Sequence, residues 1–544
     1  MGRAFFLGLA ACALALPGAA SAQEQGASGQ ERQARQRNLQ VQPYIEAAQI
    51  FVAELAPGDD VVTYTQLAAG VDATLTGRRS GASVSVRYER AIGWSNASGS
   101  DTLSGIARAY ATVVPRALTI EAGALASRTE AGGIGSGVAS RYLNNQVGSQ
   151  LYAAYAGPKL HAEAGDVQLN GHYRFGYTRV ETPAIAASGT APGMVDVFDD
   201  STVQSAAIHA ATRPDQPLPV GVGLGAGIMQ EDISNLDQRV RDAHVRADVT
   251  LPVRRGLAVA AGVGYEHVEV SARDAVRDAS GLPVRDAAGR YLTDQALPRR
   301  IAYEVDGLIW DVGVIWRPSR RTAAEAHIGR RYGSTTYYGN FAWSPSSRSS
   351  VNLAVYDGVS GVGGQMTRAL AALPVDFAAA RDPLTGDITG CVSGEEGADC
   401  LTGAVGSVRS AVFRGRGITA SYARQFGRMN AGLAAGYDRR SFIAASGTVL
   451  APANGVTDES WYLAAFLDTP MGRDTGLSFN AYSRWLDTTL GADATAIGAA
   501  AAYRRTLMQR LSARGALAVD HYDSELELAD TTAVSALVGL RYDF

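Results

Sequence analysis

The chain has 544 residues with 49 basic and 53 acidic side chains, a formal net charge of −4, and Lys159 as its sole lysine. That weak acidic balance, without a block of like charge, excludes nucleic acid as a partner. No stretch beyond the N-terminus has the ~18 consecutive apolar residues of a spanning helix, which excludes a helical membrane protein.

At the N-terminus, Arg3 precedes an apolar run from Ala4 to Leu16, then Pro17 and the small-x-small triplet Ala20-Ser21-Ala22. This layout predicts an export signal over 1–22, with the mature chain starting at Gln23. Leu9-Ala10-Ala11-Cys12 has the shape of a lipobox, but the apolar run continues past Cys12. Residues 23–40 are polar and rich in Gln and Arg. They read as a disordered periplasmic tail, too short for a folded plug. An exported chain without spanning helices is either soluble or a barrel. The 61 glycines, the 23 tyrosines and the alternation described next favour the barrel, predicted over 41–544.

From Val41 onward the chain alternates apolar and polar residues in segment after segment, the period of a strand with two unlike faces. Leu67, Ala69, Val71, Ala73 and Leu75 oppose Gln66, Gly70, Asp72 and Thr74. Val84, Val86 and Tyr88 oppose Ser85, Arg87 and Glu89. Leu308, Trp310, Val312, Val314 and Trp316 oppose Asp311 and Gly313. Central charges fall on the polar face, as lipid demands, since an outward Arg at mid-membrane costs about 2–4 kcal/mol. The expected fold is all-β: an up-and-down transmembrane barrel of about 22 antiparallel strands, with 18 or 20 as alternative counts.

Short breaks read as periplasmic turns: Pro115-Arg116, Gly157-Pro158-Lys159, Pro252 to Gly256, Pro318 to Arg321, Ser344 to Arg348 and Gln425 to Arg428. Long breaks at 183–199, 272–302 and 361–410 read as extracellular loops. No fixed repeat supports a propeller or β-helix.

The longest loop holds two features. Cys391 and Cys400, the only cysteines outside the leader, predict one disulfide, because two thiols alone do not complete a zinc shell. Met366 to Leu373, followed by Pro374, predicts a short apolar helix. Met366, Leu370 and Leu373 are expected to fold into the lumen as a constriction, packing on the outer rim being the alternative. Arg414 and Arg416 on the next strand are expected to face Glu395, Glu396 and Asp399.

The last strand runs from Val534 to Phe544. Val534, Ala536, Val538, Leu540, Tyr542 and Phe544 oppose Ser535, Leu537, Gly539, Arg541 and Asp543. An apolar face that ends on Phe544, two residues after Tyr542, reads as the closing strand and as the signal read by the barrel assembly machinery.

No catalytic, metal or cofactor site is predicted. The seven histidines are scattered and lack ligand spacing, and there is no G-x-S-x-G elbow. His172 and His244, beside Arg174 and Arg246, read as lumen lining, as do Asp72, Glu89 and Asp311. The expected partners are outer-membrane lipids and the assembly machinery.

Trp316-Arg317-Pro318-Ser319-Arg320, Gly329-Arg330-Arg331-Tyr332-Gly333, Tyr338-Gly339, Trp343-Ser344-Pro345-Ser346 and Arg348 resemble a group of proteobacterial β-barrel porins found in exopolysaccharide and exosortase-type gene neighbourhoods. Pro43-Tyr44-Ile45-Glu46 is similar to the first strand of that group. The resemblance implies an outer-membrane passageway linked to exopolysaccharide production or export, with polysaccharide and periplasmic export components as partners. It transfers no site residue. A general diffusion porin and a non-conducting scaffold of an export machine are the alternatives.

Overall fold

The structure, a computed structural model, describes residues 38–94, 99–129, 149–181, 198–214, 217–286, 289–346, 348–394, 397–400, 409–489, 493–525 and 530–544. The predicted leader and residues 23–37 of the predicted tail lie outside them, as do Glu395 and Glu396. Residues 38–40 already belong to the first strand.

The wall opens with β1 (Asn38–Ala56), β2 (Val61–Thr76), β3 (Ser80–Gly93), β4 (Ser100–Val114), β5 (Leu118–Thr129) and β6 (Ser149–Ala164). It continues through β7 (Val167–Glu181), β8 (Asp200–Thr212), β9 (Gly221–Ile233), β10 (Gln238–Arg254), β11 (Leu257–Ala272) and β12 (Arg300–Ser319). β13 (Thr322–Arg331), β14 (Ser334–Ser346) and β15 (Ser349–Ser360) follow. The chain then leaves the wall for helix α1 (Val362–Ala372) and three short strands, β16 (Ala378–Arg381), β17 (Ile388–Gly394) and β18 (Gly397–Cys400). It rejoins the wall at β19 (Val412–Phe426) and runs through β20 (Met429–Ile443), β21 (Thr457–Pro470), β22 (Thr475–Thr488), β23 (Ala494–Met508), β24 (Leu511–Ser524) and β25 (Thr531–Asp543).

The wall is one sheet of 22 strands, and β16, β17 and β18 form a separate sheet of three. Each wall strand pairs antiparallel with its chain neighbour. β25 pairs with β1 from Tyr44↔Asp543 to Ala56↔Thr532, with one register shift between Glu54 and Ala56, which closes the ring and leaves no free edge. The fold is the expected up-and-down barrel.

The outward face carries the apolar alternation. Leu308, Trp310, Val312, Val314 and Trp316 of β12 are all exposed, and so are Val534, Val538 and Leu540 of β25. A belt of exposed large apolar side chains around a closed sheet is the surface a bilayer covers. Two- and three-residue turns cluster at the end that holds both chain termini, and the long connections stand at the other. Arg116, Gly165, Gly256 and Gly427 adopt positive φ in these tight turns.

One predicted turn is displaced. Gly157-Pro158-Lys159 lies inside β6, and the reversal comes at residues 165–166. Pro158 cannot donate to a ladder, so pairing with β7 lapses at 157 and 158. It resumes in the same register, Ala156↔Phe175 and Lys159↔His172. Gly157 has to be Gly, because a Cβ there would collide with the Tyr173 carbonyl oxygen.

The inner face departs from a polar lining. Leu125, Leu151, Val180, Val240, Val268 and Val270 point inward and are buried. They form an apolar core inside the barrel, because another part of the chain covers them.

Candidate functional site: a plug across the lumen

That covering element is the segment between β15 and β19. α1 opens at Gly361, whose N–H donates to Glu231 Oε2 on β9 at 2.7 Å. No side chain of its own caps this helix. A fully buried carboxylate from the wall takes that role, where the positive end of the helix dipole favours it. A Cβ on Gly363 would collide with Ser201 Oγ.

Val362, Met366 and Leu370 recur every four residues and form the buried stripe of α1. Met366 and Leu370 are fully buried, and Leu373 nearly so, in the cluster with Leu125, Leu151 and Val180. Burial of side chains of this size contributes about 1.5–3 kcal/mol each. At the other end of α1, Arg108 on β4 donates to the carbonyls of Ala371 at 3.1 Å and Leu373 at 3.4 Å. A cation there complements the helix dipole, and Pro374 follows.

Beyond α1 the chain runs along β3 and β4 toward β22, β25, β1 and β2. The Phe377 N–H donates to Ser83 Oγ at 3.3 Å. Arg381 donates to Ser85 Oγ, Ser104 Oγ and the Gly386 carbonyl, while Asn480 on β22 donates to the Arg381 carbonyl. Leu384 is buried in a second apolar cluster with Ile50, Tyr64 and Leu537. Asp382 caps the turn by accepting from the Leu384 and Thr385 amides at 2.9 and 2.8 Å. The three-stranded sheet touches β3 and β4 on one side and β15, β19 and β20 on the other. On its return the chain is held by Arg409–Asp458 at 3.3 Å and by Gln238 on β10, which donates to the Ser410 carbonyl at 2.8 Å.

Arg414 and Arg416 lie on the face of β19 opposite Phe413, Gly415 and Gly417, and both pair with buried Asp357, at 2.7 and 3.2 Å. β14 and β15 are paired only from Gly339↔Val355 downward. Both arginines also reach Ser334 and Thr335 of β14 above that point. They fasten the wall where β14 and β15 part; Glu395, Glu396 and the Asp399 side chain lie outside the described residues.

Cys391 and Cys400 are direct Cα partners in the β17–β18 ladder. Tyr542 sits on the outward face of β25, its ring edge-on to Phe544 at 5.1 Å between centroids. The Phe544 N–H donates to the Pro43 carbonyl at 3.0 Å.

The inward polar residues form ion-pair networks that join strands far apart in sequence. Asp311 holds Arg246 at 2.7 Å and His327 at 2.8 Å, and the other ring nitrogen of His327 meets Glu325 at 3.1 Å. Both ring nitrogens are engaged by carboxylates, which fixes the imidazole within this network. Among the described residues, no group of His, Cys, Asp and Glu is placed to hold a metal. Near the end that holds the chain termini, Glu46 on β1 is shared by Arg87 on β3 and by Arg514 on β24, the latter at 2.8 Å. Sequence alone did not single out Glu46, Arg381 or Arg514. The alternation of β1 and β24 marks Glu46 and Arg514 as inward, but nothing local says that β1, β3 and β24 converge there, or that the plug brings Arg381 to them.

No family model and no curated protein matches the chain. Solved structures are similar to it at low identity. The FrpB iron transporter from Neisseria meningitidis (F5-1 variant) aligns over 92% of this chain and 82% of its own, at 9% identity and a TM-score of 0.41. The open form of the ferric-catecholate import receptor Fiu from E. coli K12 gives 92%, 81%, 9% and 0.42. The siderophore receptor PirA from Acinetobacter baumannii gives 92%, 80%, 8% and 0.38.

Proposed function

We propose that this protein is a passageway of the Gram-negative outer membrane, held shut at rest by its own 361–411 segment. The observation that carries the reading is the plug. α1 is buried against β5–β8 through Met366 and Leu370, while Arg381 is fixed to β3, β4 and β22 and Leu384 to β1, β2 and β25. A 22-stranded ring encloses a wide interior, and this segment occupies part of it with packed side chains. A general diffusion porin needs an open channel, so an internal plug favours a gated conduit. Exopolysaccharide as the cargo rests on the sequence resemblance around Trp316–Arg348.

Planar-bilayer recording tests the reading. The intact protein is expected to show little steady conductance, and a variant deleted for 365–405 a large one. Retained heat-modifiability on gels would show that the variant barrel folds. A folded deletion variant that conducts no more than the intact protein would refute the passageway and support the scaffold.

A further inference from the structure

Beneath the plug, at the end that carries the chain termini, lies a cavity of about 570 Å³ between Arg381–Gly386 and the walls of β1, β3 and β20–β25. Seven arginines line it against three carboxylates, Asp382, Asp468 and Asp474. The geometry points to a binding site for a small multivalent oxyanion, a solute that carries two or more phosphate or carboxylate groups.

Four observations converge on it. First, Arg504 and Arg514 are direct Cα partners across β23–β24, both facing the cavity. Like charges directly opposite destabilise a sheet unless a counter-charge lies between them. Glu46 reaches Arg514, and Arg504 makes no ion pair among the described residues. Second, the Arg381 guanidinium is bonded to three neutral oxygens, Ser85 Oγ, Ser104 Oγ and the Gly386 carbonyl, and to no carboxylate. Third, the Arg87 side chain is only 2% exposed, yet its Nη2 has no hydrogen-bond partner; Nε and Nη2 of Arg514 also lack one. Buried guanidinium N–H groups without acceptors are costly. Fourth, the plug brings backbone close to this cluster. Gly386 has φ of +65°, and a Cβ there would collide with Arg87 Nε, so only Gly lets the turn approach the guanidinium.

The carboxylates nearby do not cancel the excess. Glu46 is divided between Arg87 and Arg514, Glu89 meets Arg87 at 3.3 Å, and Arg541 is occupied by Asp543 at 2.8 Å. Guanidinium forks pair bidentately with planar carboxylates and tetrahedral phosphates. Several forks around one cavity select a ligand with several anionic groups over a neutral sugar. The site stands whether or not the barrel conducts, because its test reads binding to the purified protein.

Isothermal titration calorimetry on the full-length protein, in an uncharged detergent at low salt, uses inorganic pyrophosphate, citrate and sucrose as probes. Pyrophosphate or citrate is expected to bind and sucrose not; which of the two binds more tightly separates phosphoryl from carboxylate recognition. Arg504→Gln lies on the wall away from the plug, and Arg381→Gln lies on the plug. Each is expected to weaken binding about tenfold, the loss of one charge-assisted contact. Arg90→Gln, on the outer surface, should leave it unchanged. Heat-modifiability confirms that each variant folds. No anion binding up to about 10 mM, a range that would still detect contacts worth ~3 kcal/mol, would overturn the site. So would binding by folded Arg504→Gln and Arg381→Gln variants equal to that of the intact protein.

Discussion

Glu231 on β9 accepts a hydrogen bond from the Gly361 amide at 2.7 Å, so the wall of the barrel caps the helix of its own plug. Glu231 is fully buried, and its removal would leave the first amide of α1 without an acceptor. That loss costs about 1–3 kcal/mol, and it falls on the plug's attachment and not on the ladder between strands. Glu231→Ala is expected to leave the barrel heat-modifiable while loosening residues 361–373. Trypsin cleavage at Arg368 in the folded protein should speed up by roughly tenfold, the same energy expressed as a local opening equilibrium. Unchanged cleavage would mean that the apolar stripe of Met366 and Leu370 holds α1 without the cap.

A second contact links two of the long connections at the end away from the chain termini. Asp274 accepts from the Val449 amide at 2.8 Å and pairs with Arg277 at 3.1 Å. Burial alone would raise its pKa. The Ala275 and Val449 amides and Arg277 outweigh burial and hold the carboxyl below its usual value. A lowered folded-state pKa stabilises above the unfolded value of about 3.9 and is lost as pH falls through the folded one. Docking of the 444–456 loop should therefore be constant from neutral pH down to about 4 and weaken below it. Hydrogen exchange at the Val449 amide reports this directly. Asp274→Asn should raise exchange at neutral pH and abolish the acid step; an acid step that survives the substitution would assign it to another group.

The faces of the strands were legible in the sequence because a period of two is a local property. Leu308 to Trp316 shows its outward set without any knowledge of its neighbours. What fills the inside was not legible. Val268 and Val270 point inward while His267 and Glu269 point outward, the reverse of a polar lumen, because the inner face at that level joins the apolar cluster shared with the plug segment. Arg414 and Arg416 were placed by proximity to an acidic loop, but the gap between β14 and β15 claims them through Asp357. The Glu46–Arg87–Arg514 convergence depends on closure of β25 onto β1, which joins residues hundreds of positions apart.

The closing strand carries the next prediction. Tyr542 faces outward and is the Cα partner of Ile45 on β1, on the seam that completes the ring. Phe544 is 60% exposed and holds the strand end through its amide to Pro43. An outward acid disturbs the lipid-facing surface, though less than an Arg would. Tyr542→Asp, or deletion of Phe544, is expected to reduce the heat-modifiable form recovered from outer membranes several-fold, with unfolded chain accumulating in the periplasm. Normal yields of both variants would remove these residues from the assembly signal.

The cysteines give the last prediction. Cys391 and Cys400 are cross-strand partners, and antiparallel partners stand about 4.5–5.5 Å apart at Cα. That lies within the range a disulfide spans, roughly 4.4–6.8 Å. The export signal predicted over residues 1–22 would place the thiols where oxidation persists. A bond across this short loop would stabilise the β17–β18 hairpin by about 2–3 kcal/mol on the chain-entropy account. The hairpin belongs to the plug, between the walls of β4 and β15–β20, so the gain belongs to the closed state and not to the barrel. Mass spectrometry of protein isolated without reductant should find residues 391 and 400 joined. Reduction, or Cys391→Ser with Cys400→Ser, should leave the barrel's melting unchanged while raising hydrogen exchange across 388–400. Two free thiols in unreduced protein would sink the assignment. A drop in barrel melting on reduction would show that the plug and the wall unfold together.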